Sequence, residues 1–261
     1  MENEFETLNK TIGLNFKSRQ HKQQQMFDYY ITVKSIVKKL STKRTLYFYD
    51  GGCGRAYLSF YLNYLLKKDG ITNVEFICID MNKALIERNK LIALKLGMGN
   101  MSFVHSSIID ADFSKKPDVV YSLNACDSAT DQLLYQALAN EARFILSVSC
   151  CQHKARKAYK NQSMSLISRH KPYKEGLVDM LSNSLRTLLM EAHGYNVSVF
   201  EFTSTSATPK NVMLKCEKVA KINEKYQEIV DEYEKLVTAF NIRPLLFDYL
   251  KGEEKDVRKV S

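Results

Sequence analysis

A strand-type run from Thr45 to Tyr49 ends in Asp50 and passes directly into Gly51-Gly52-Cys53-Gly54, after which Tyr57 to Leu66 forms an amphipathic segment. Nothing else in the chain restricts the fold as strongly. Strand, tight glycine turn and helix in immediate succession form the opening unit of a parallel α/β sheet. Glycines at 52 and 54 let bare backbone approach a nucleotide-like ligand at a helix N-terminus. Ala56 takes the third small position and still permits close helix–strand packing. Glycines also close ordinary βα turns, so the turn alone leaves both readings open.

A second strand-type run, Asn73 to Asp80, also ends in a carboxylate. Asp80 lies close to the offset at which an acidic residue holds ribose hydroxyls in nucleotide-binding βαβ units. It also precedes Asn82 and a helical run from Lys83 to Lys95, so a helix-capping role is compatible with the same position. Asp50 suits a cationic or amino group better than a phosphate. With no Walker lysine and little room for a pyrophosphate, Asp-x-Gly-x-Gly favours S-adenosyl-L-methionine over ATP.

Two later stretches carry a narrower likeness: Leu123-Asn-Ala-Cys-Asp-Ser-Ala-Thr-Asp131 and Ile145-Leu-Ser-Val-Ser-Cys-Cys-Gln-His153. With Arg19 to Phe27 and Thr208-Pro-Lys-Asn211, they make the chain resemble the class I, Rossmann-like S-adenosylmethionine-dependent methyltransferases. The likeness is nearest to the group called methyltransferase domain 32 and spans roughly residues 15 to 216. Asn124 stands where that family usually has His, and Ser149 where it usually has Pro. The resemblance implies a methyltransferase using S-adenosylmethionine, with cofactor contacts from Asp50, Gly52, Gly54, Asp80, Ser107, Ile108 and Asn124. Strand three offers hydroxyls and backbone at Ser106 to Ile108 where relatives usually present a carboxylate or backbone N–H to adenine.

The remaining pattern agrees with a doubly wound, mostly parallel seven-stranded sheet. Strands are expected near 45–49, 74–79, 101–105, 118–123, 142–148, 196–203 and 211–216, the last antiparallel. Helices are expected at 15–40, 56–68, 83–96, 128–140, 176–193 and 217–241. This divides the chain into an N-terminal helical extension (1–44), the methyltransferase domain (45–216) and a C-terminal helical extension (217–261), with a frayed tail after Lys251. The helix at 217–241 is expected to bury Val219, Ile222, Tyr226, Ile229, Tyr233, Leu236 and Phe240 on one face.

Charge points to the acceptor. The formal net charge is +9, and residues 150–174 carry seven Lys or Arg and no acid. Such clusters attract polyanions by counterion release, and Tyr159, His170 and Tyr173 among them suit stacking on unpaired bases. A solvated lysine-rich loop is the alternative. Structured RNA (ribosomal or transfer RNA) is the expected partner, held by Arg19, Lys22, Gln152, Lys154, Arg156 and Lys157. A small-molecule acceptor and a non-catalytic RNA-binding module on the same fold are the rivals. No apolar run is long enough for a membrane span, and six cysteines in a chain of 261 residues do not make a disulfide framework. A cytoplasmic protein with reduced thiols is expected.

Asn124, Asp127 and His153 are the candidate catalytic residues. The resemblance implies that Asn124, just past the fourth strand, flanks the methyl donor and acceptor; a turn or helix-capping residue is the other reading. Asp127 and Asp131 sit where a site role and a helix-dipole role are both available. Histidine as a residue type has an unperturbed pKa near neutrality, which makes His153 a candidate to take a proton or orient the acceptor. Cys126, Cys150, Cys151 and His153 are zinc-type donors, but Cys-Cys-x-His is not a standard ligand spacing. No metal is therefore expected, and the cysteines read as small buried residues closing the strand.

Overall fold

The computed structural model describes residues 4–14, 19–41, 43–161 and 164–252. Two helices precede the sheet, α1 (Glu4–Ile12) and α2 (Arg19–Val37). Then β1 (Leu46–Gly51), α3 (Tyr57–Lys68), β2 (Val74–Asp80), α4 (Lys83–Lys95), β3 (Met101–His105), β4 (Val119–Ala125), α5 (Ser128–Ala139) and β5 (Phe144–Ser149) alternate. Two short helices, α6 (His153–Ala158) and α7 (Ser165–Ser168), lead into the long α8 (Lys171–Ala192). The hairpin β6 (Tyr195–Glu201) and β7 (Val212–Lys218), then α9 (Tyr226–Phe240) and α10 (Leu245–Leu250), complete the order.

One seven-stranded sheet has the order β3-β2-β1-β4-β5-β7-β6. Strands β1 to β5 pair in parallel, whereas β7 runs antiparallel to both β5 and β6. This is the mostly parallel sheet with an antiparallel last strand expected from the sequence.

The central strands β1, β4 and β5 bury both faces, so they read as nearly continuous apolar runs. Alternate residues divide between two cores. Phe48, Phe76, Tyr121, Phe144 and Leu146 join Met26, Tyr29, Val33 and Ile36 of α2 and Phe60 of α3. Tyr49, Val120 and Ile145 join Leu133 and Leu134 of α5, Leu185 of α8, Tyr233 of α9 and Phe247 of α10. Of the apolar residues that recur at 3- and 4-residue spacing in the expected 15–40 helix, Met26, Tyr30, Val33, Ile36 and Val37 are buried and Phe27 and Ile31 are exposed; Phe16 lies outside the described residues.

The C-terminal helix starts later than its periodicity suggests. β7 extends to Lys218, and the N–H groups of Val219 and Ala220 both donate to the Gly194 carbonyl. Val219 and Ile222 are therefore exposed turn residues, and Tyr233 is the residue of α9 that becomes fully buried. The tail from residue 253 onward lies outside the described residues.

Gly51 shows how tightly β1 approaches its covering helix. A Cβ there would stand 2.2 Å from Leu133 Cδ1, whereas one on Gly54 would meet nothing within 4 Å. Gly51→Ala is expected to cost about 1–3 kcal/mol through overpacking. Gly54→Ala, with φ at +53°, should cost roughly 1–2 kcal/mol of left-handed strain. Chemical denaturation of both variants checks this; a Gly51→Ala midpoint equal to wild type would refute the packing argument.

Candidate active site

The carboxyl ends of β1 and β2 are stitched together by the glycine loop. The N–H groups of Gly52 and Cys53 both donate to Ile79 O. Asp80 then fixes the rest: its Oδ2 accepts from Gly54 N at 2.7 Å and its Oδ1 from Asn82 N at 2.8 Å. The N-cap of α4 is Asn82, whose side chain accepts from Leu85 N. Each Asp80 oxygen keeps a lone pair after these bonds, so the carboxylate holds the loop and still has capacity for a ligand's hydroxyls. Gly52 and Gly54 have positive φ, as their place in the turn requires, and Ala56 adopts φ +51° despite its Cβ.

Asp50 is buried at the end of β1 and accepts a short hydrogen bond from Ser59 Oγ. Tyr121 Oη lies 2.8 Å from the same Ser59 oxygen, so a phenol–hydroxyl–carboxyl chain runs out of the core. Burial pushes Asp50 up to about 7; the Ser59 hydrogen bond opposes the shift and the negative Asp80 adds to it. Between an ordinary aspartate pKa and about 7 the folded protein holds a proton that the unfolded chain has released. Asp50 therefore lowers stability progressively as pH rises through that window.

Asp50 lines a cavity of about 120 Å³ with Gly52, Cys53, Arg55, Leu123, Asn124 and three residues of α2, namely Lys22, Gln25 and Met26. Gln25 is buried, and its Nε2 has no hydrogen-bond partner. Lys22 Nζ stands 5.4 Å from the centre of the Tyr57 ring, at the same mouth. The donor set fits a zwitterionic, cationic ligand: a titratable carboxyl for a positive group, and an unpaired amide and an ammonium for a carboxylate. Lys22, expected on an RNA-facing helix, belongs to this wall. Gln25 escaped the sequence reading because its place depends on α2 crossing the glycine loop. A cation bound beside Asp50 favours its ionised form. Ligand affinity is therefore expected to rise between about pH 6 and pH 8, with proton release near neutrality. Calorimetry in buffers of different ionisation enthalpy tests this; no proton release would remove Asp50 from the site.

After β3, Ser107 Oγ donates to Asp110 Oδ2 at 2.6 Å and accepts from Asp110 N. A carboxylate thus does stand at this corner, three residues beyond the hydroxyls read from the sequence. The Ile108 side chain is buried, its Cδ1 3.8 Å from where a Gly52 Cβ would lie.

The third corner joins the ends of β4 and β5. Asn124 is exposed with φ +67°, and Asp127 has φ +43°. Asp127 Oδ1 accepts from Lys154 N, so this carboxylate caps α6 and makes no side-chain cap bond to α5. Asp131 stands in the first turn of α5, as the dipole reading requires, but it is buried there and paired with Arg186 of α8. The sulfurs of Cys126, Cys150 and Cys151 converge beside Asn124, with Cys126 and Cys150 joined as a disulfide. That pairing departs from the expectation of reduced thiols throughout. His153 opens α6 and is exposed, and it does not join the sulfur cluster.

Several residues expected to face RNA have other places. Gln152 is buried and lines a cavity of about 40 Å³ with Asp131, Arg186 and Leu245, because the chain after Cys151 turns inward. Arg156 is held by Asp179 at 2.9 Å and Glu175 at 3.2 Å. Tyr159 is buried in the second core, leaving His170 and Tyr173 exposed. Lys154 and Lys157 are exposed, as are Lys160, Arg169 and Lys171. The side chain of Arg19 lies outside the described residues.

No curated protein matches the chain. Among solved structures, the CMeT domain of the citrinin polyketide synthase aligns with TM-score 0.50 and 13% identity, covering 75% of this chain and 52% of that one. The chain thus spans about half the length of that relative. Magnesium protoporphyrin IX methyltransferase from Synechocystis aligns with TM-score 0.46 and 13% identity over 83% of this chain and 92% of that one. An rRNA methylase from Streptococcus thermophilus gives 0.45 and 8% over 73% and 95%. At these identities the likeness is one of fold. The sequence match is more specific: a family described as a methyltransferase domain covers residues 21–158, which includes the α2 wall, the glycine loop, Asp80, Asn124 and the paired cysteines. With more than half of its length so matched, the chain belongs to this methyltransferase-domain family.

Proposed function

We propose that the protein methylates structured RNA, ribosomal or transfer, in a cytosolic setting. The reaction type follows from the family and the cofactor is S-adenosylmethionine. That cofactor supplies a methyl group on a sulfonium, and the protein's task is to hold it in line with the acceptor and keep competing water out. Asp80 would take the ribose hydroxyls on its free lone pairs, and Asp110 and Ser107 would meet the base. Gln25 Nε2 and Lys22 would face the carboxylate of the amino-acid tail, and Asp50 its positive groups. Asn124 orients the acceptor, and exposed His153 takes the proton where the nucleophile needs to lose one.

One observation favours RNA above other acceptors. The basic segment that follows β5, where Cys150 Sγ lies 3.5 Å from Asn124 O, exposes Lys154, Lys157, Lys160, Arg169 and Lys171. A polyanion on that segment would reach the acceptor side of the cavity directly.

The test is transfer of radiolabel from S-adenosylmethionine into total RNA from cells lacking the gene. We expect RNase-sensitive label, with binding that weakens as salt rises by a log–log slope of about 0.7–0.9 per phosphate contact. Lys154→Glu with Lys157→Glu should flatten that slope and leave cofactor affinity intact. No label in RNA, with calorimetric cofactor binding preserved, would overturn the RNA assignment in favour of a small acceptor.

A further inference from the structure

We propose that Cys126, Cys150 and Cys151 form, when reduced, a binding site for a soft divalent metal ion of the zinc class. Two parallel strands deliver them. Cys126 follows β4, and Cys150 and Cys151 follow β5. Backbone hydrogen bonds from Cys150 N to Ala125 O at 3.4 Å and from Asp127 N to Cys151 O at 3.3 Å hold the two loops together. Cys151 Sγ lies 2.9 Å from Cys126 Sγ and 3.3 Å from Cys150 Sγ, and all three residues are half-buried.

A disulfide between Cys126 and Cys150 uses two of these sulfurs and gives the third no task. Three thiolates around one point are the donor set of a thiophilic ion. Tetrahedral zinc with bonds of about 2.3 Å sets its sulfurs about 3.8 Å apart. The contacts to Cys151 need to open by only about 1 Å to reach that spacing, a small side-chain rotation. The backbone is a second, independent observation. Asn124 and Asp127, which bracket Cys126, both have positive φ without being glycine. Strain of about 1–3 kcal/mol at each such residue persists only where something over-determines the loop.

The balance is simple. A thiol reductant of the glutathione class takes the Cys126–Cys150 bond to two thiols and becomes a disulfide itself. Metal binding then displaces three thiol protons and leaves a fourth coordination position for water or another donor. The ion would pin the loop that presents Asn124.

Metal content by mass spectrometry, on full-length protein purified under thiol reductant, tests the proposal. We expect stoichiometric zinc, lost in Cys126→Ser and in Cys151→Ser and retained in Cys216→Ala. Cadmium added to reduced apoprotein should give thiolate-to-metal ultraviolet absorption that Cys151→Ser abolishes. Cys151→Ser is the discriminating variant, because a plain disulfide does not need it. Reduced protein that binds neither ion, or Cys151→Ser that binds both like wild type, would overturn the site. So would a Cys126–Cys150 disulfide that survives millimolar glutathione.

Discussion

Asp80→Ala will lower affinity for S-adenosylmethionine by at least about 100-fold, or roughly 2.7 kcal/mol. The loss has two sources. The carboxylate accepts the backbone N–H groups of Gly54 and Asn82, and hydrogen bonds to a charged group contribute about 1.5–3 kcal/mol each. Its absence loosens the loop that shapes the cavity and removes the acceptors for the ribose. Asp80→Asn is expected to recover little, because an amide offers one acceptor oxygen and turns its NH₂ against a backbone N–H. Calorimetry decides: binding by Asp80→Ala within threefold of wild type would show that the cofactor does not lie across the β1–β2 edge.

Arg186→Met will destabilise the fold by about 3–5 kcal/mol, the usual result of stripping one partner from a buried ion pair. Asp131 Oδ1 accepts from Arg186 Nε at 2.7 Å, and its Oδ2 accepts from Arg186 Nη2 and from Leu245 N, both at 3.2 Å. This one carboxylate therefore ties α5, α8 and α10 together. At about 2–4 °C per kcal/mol for a domain of this size, Tm should fall by roughly 6–20 °C. Adding Asp131→Leu to Arg186→Met should restore much of the loss, since the pair's desolvation cost disappears with it. A double variant no more stable than the single would mean that the pair contributes more than its burial costs.

These two sites differ in how visible they are in the sequence. Asp80 closes an apolar strand at a fixed offset from a glycine turn, a local pattern, and each strand of the sheet shows similar local periodicity. Local pattern also misleads. The run from Val219 continues the helical spacing of α9 across residues that the Gly194 carbonyl holds in a turn. The short helices α6, α7 and α10 and the first residues of α8 have too little periodicity to register. Gln25, Gln152 and Arg186 look like surface residues by composition, and only the crossing of α2 over the glycine loop and of α8 over α5 buries them. Asp110 lies beyond the strand end and has no local signal of its own; the turn after β3 is what brings this later carboxylate back to Ser107.

The strand order carries one more consequence, for synthesis. β7 lies between β5 and β6, although it is the last strand to leave the ribosome. Until residues 212–218 emerge, both of its neighbours present unpaired backbone, and the β5 edge is apolar at Phe144, Ile145 and Leu146. Such edges recruit other strands. A nascent chain that has released residues up to about 210 would therefore carry a five-stranded parallel sheet with an open β5 edge and an unpaired β6, a species for chaperones to shield until the final strand closes it.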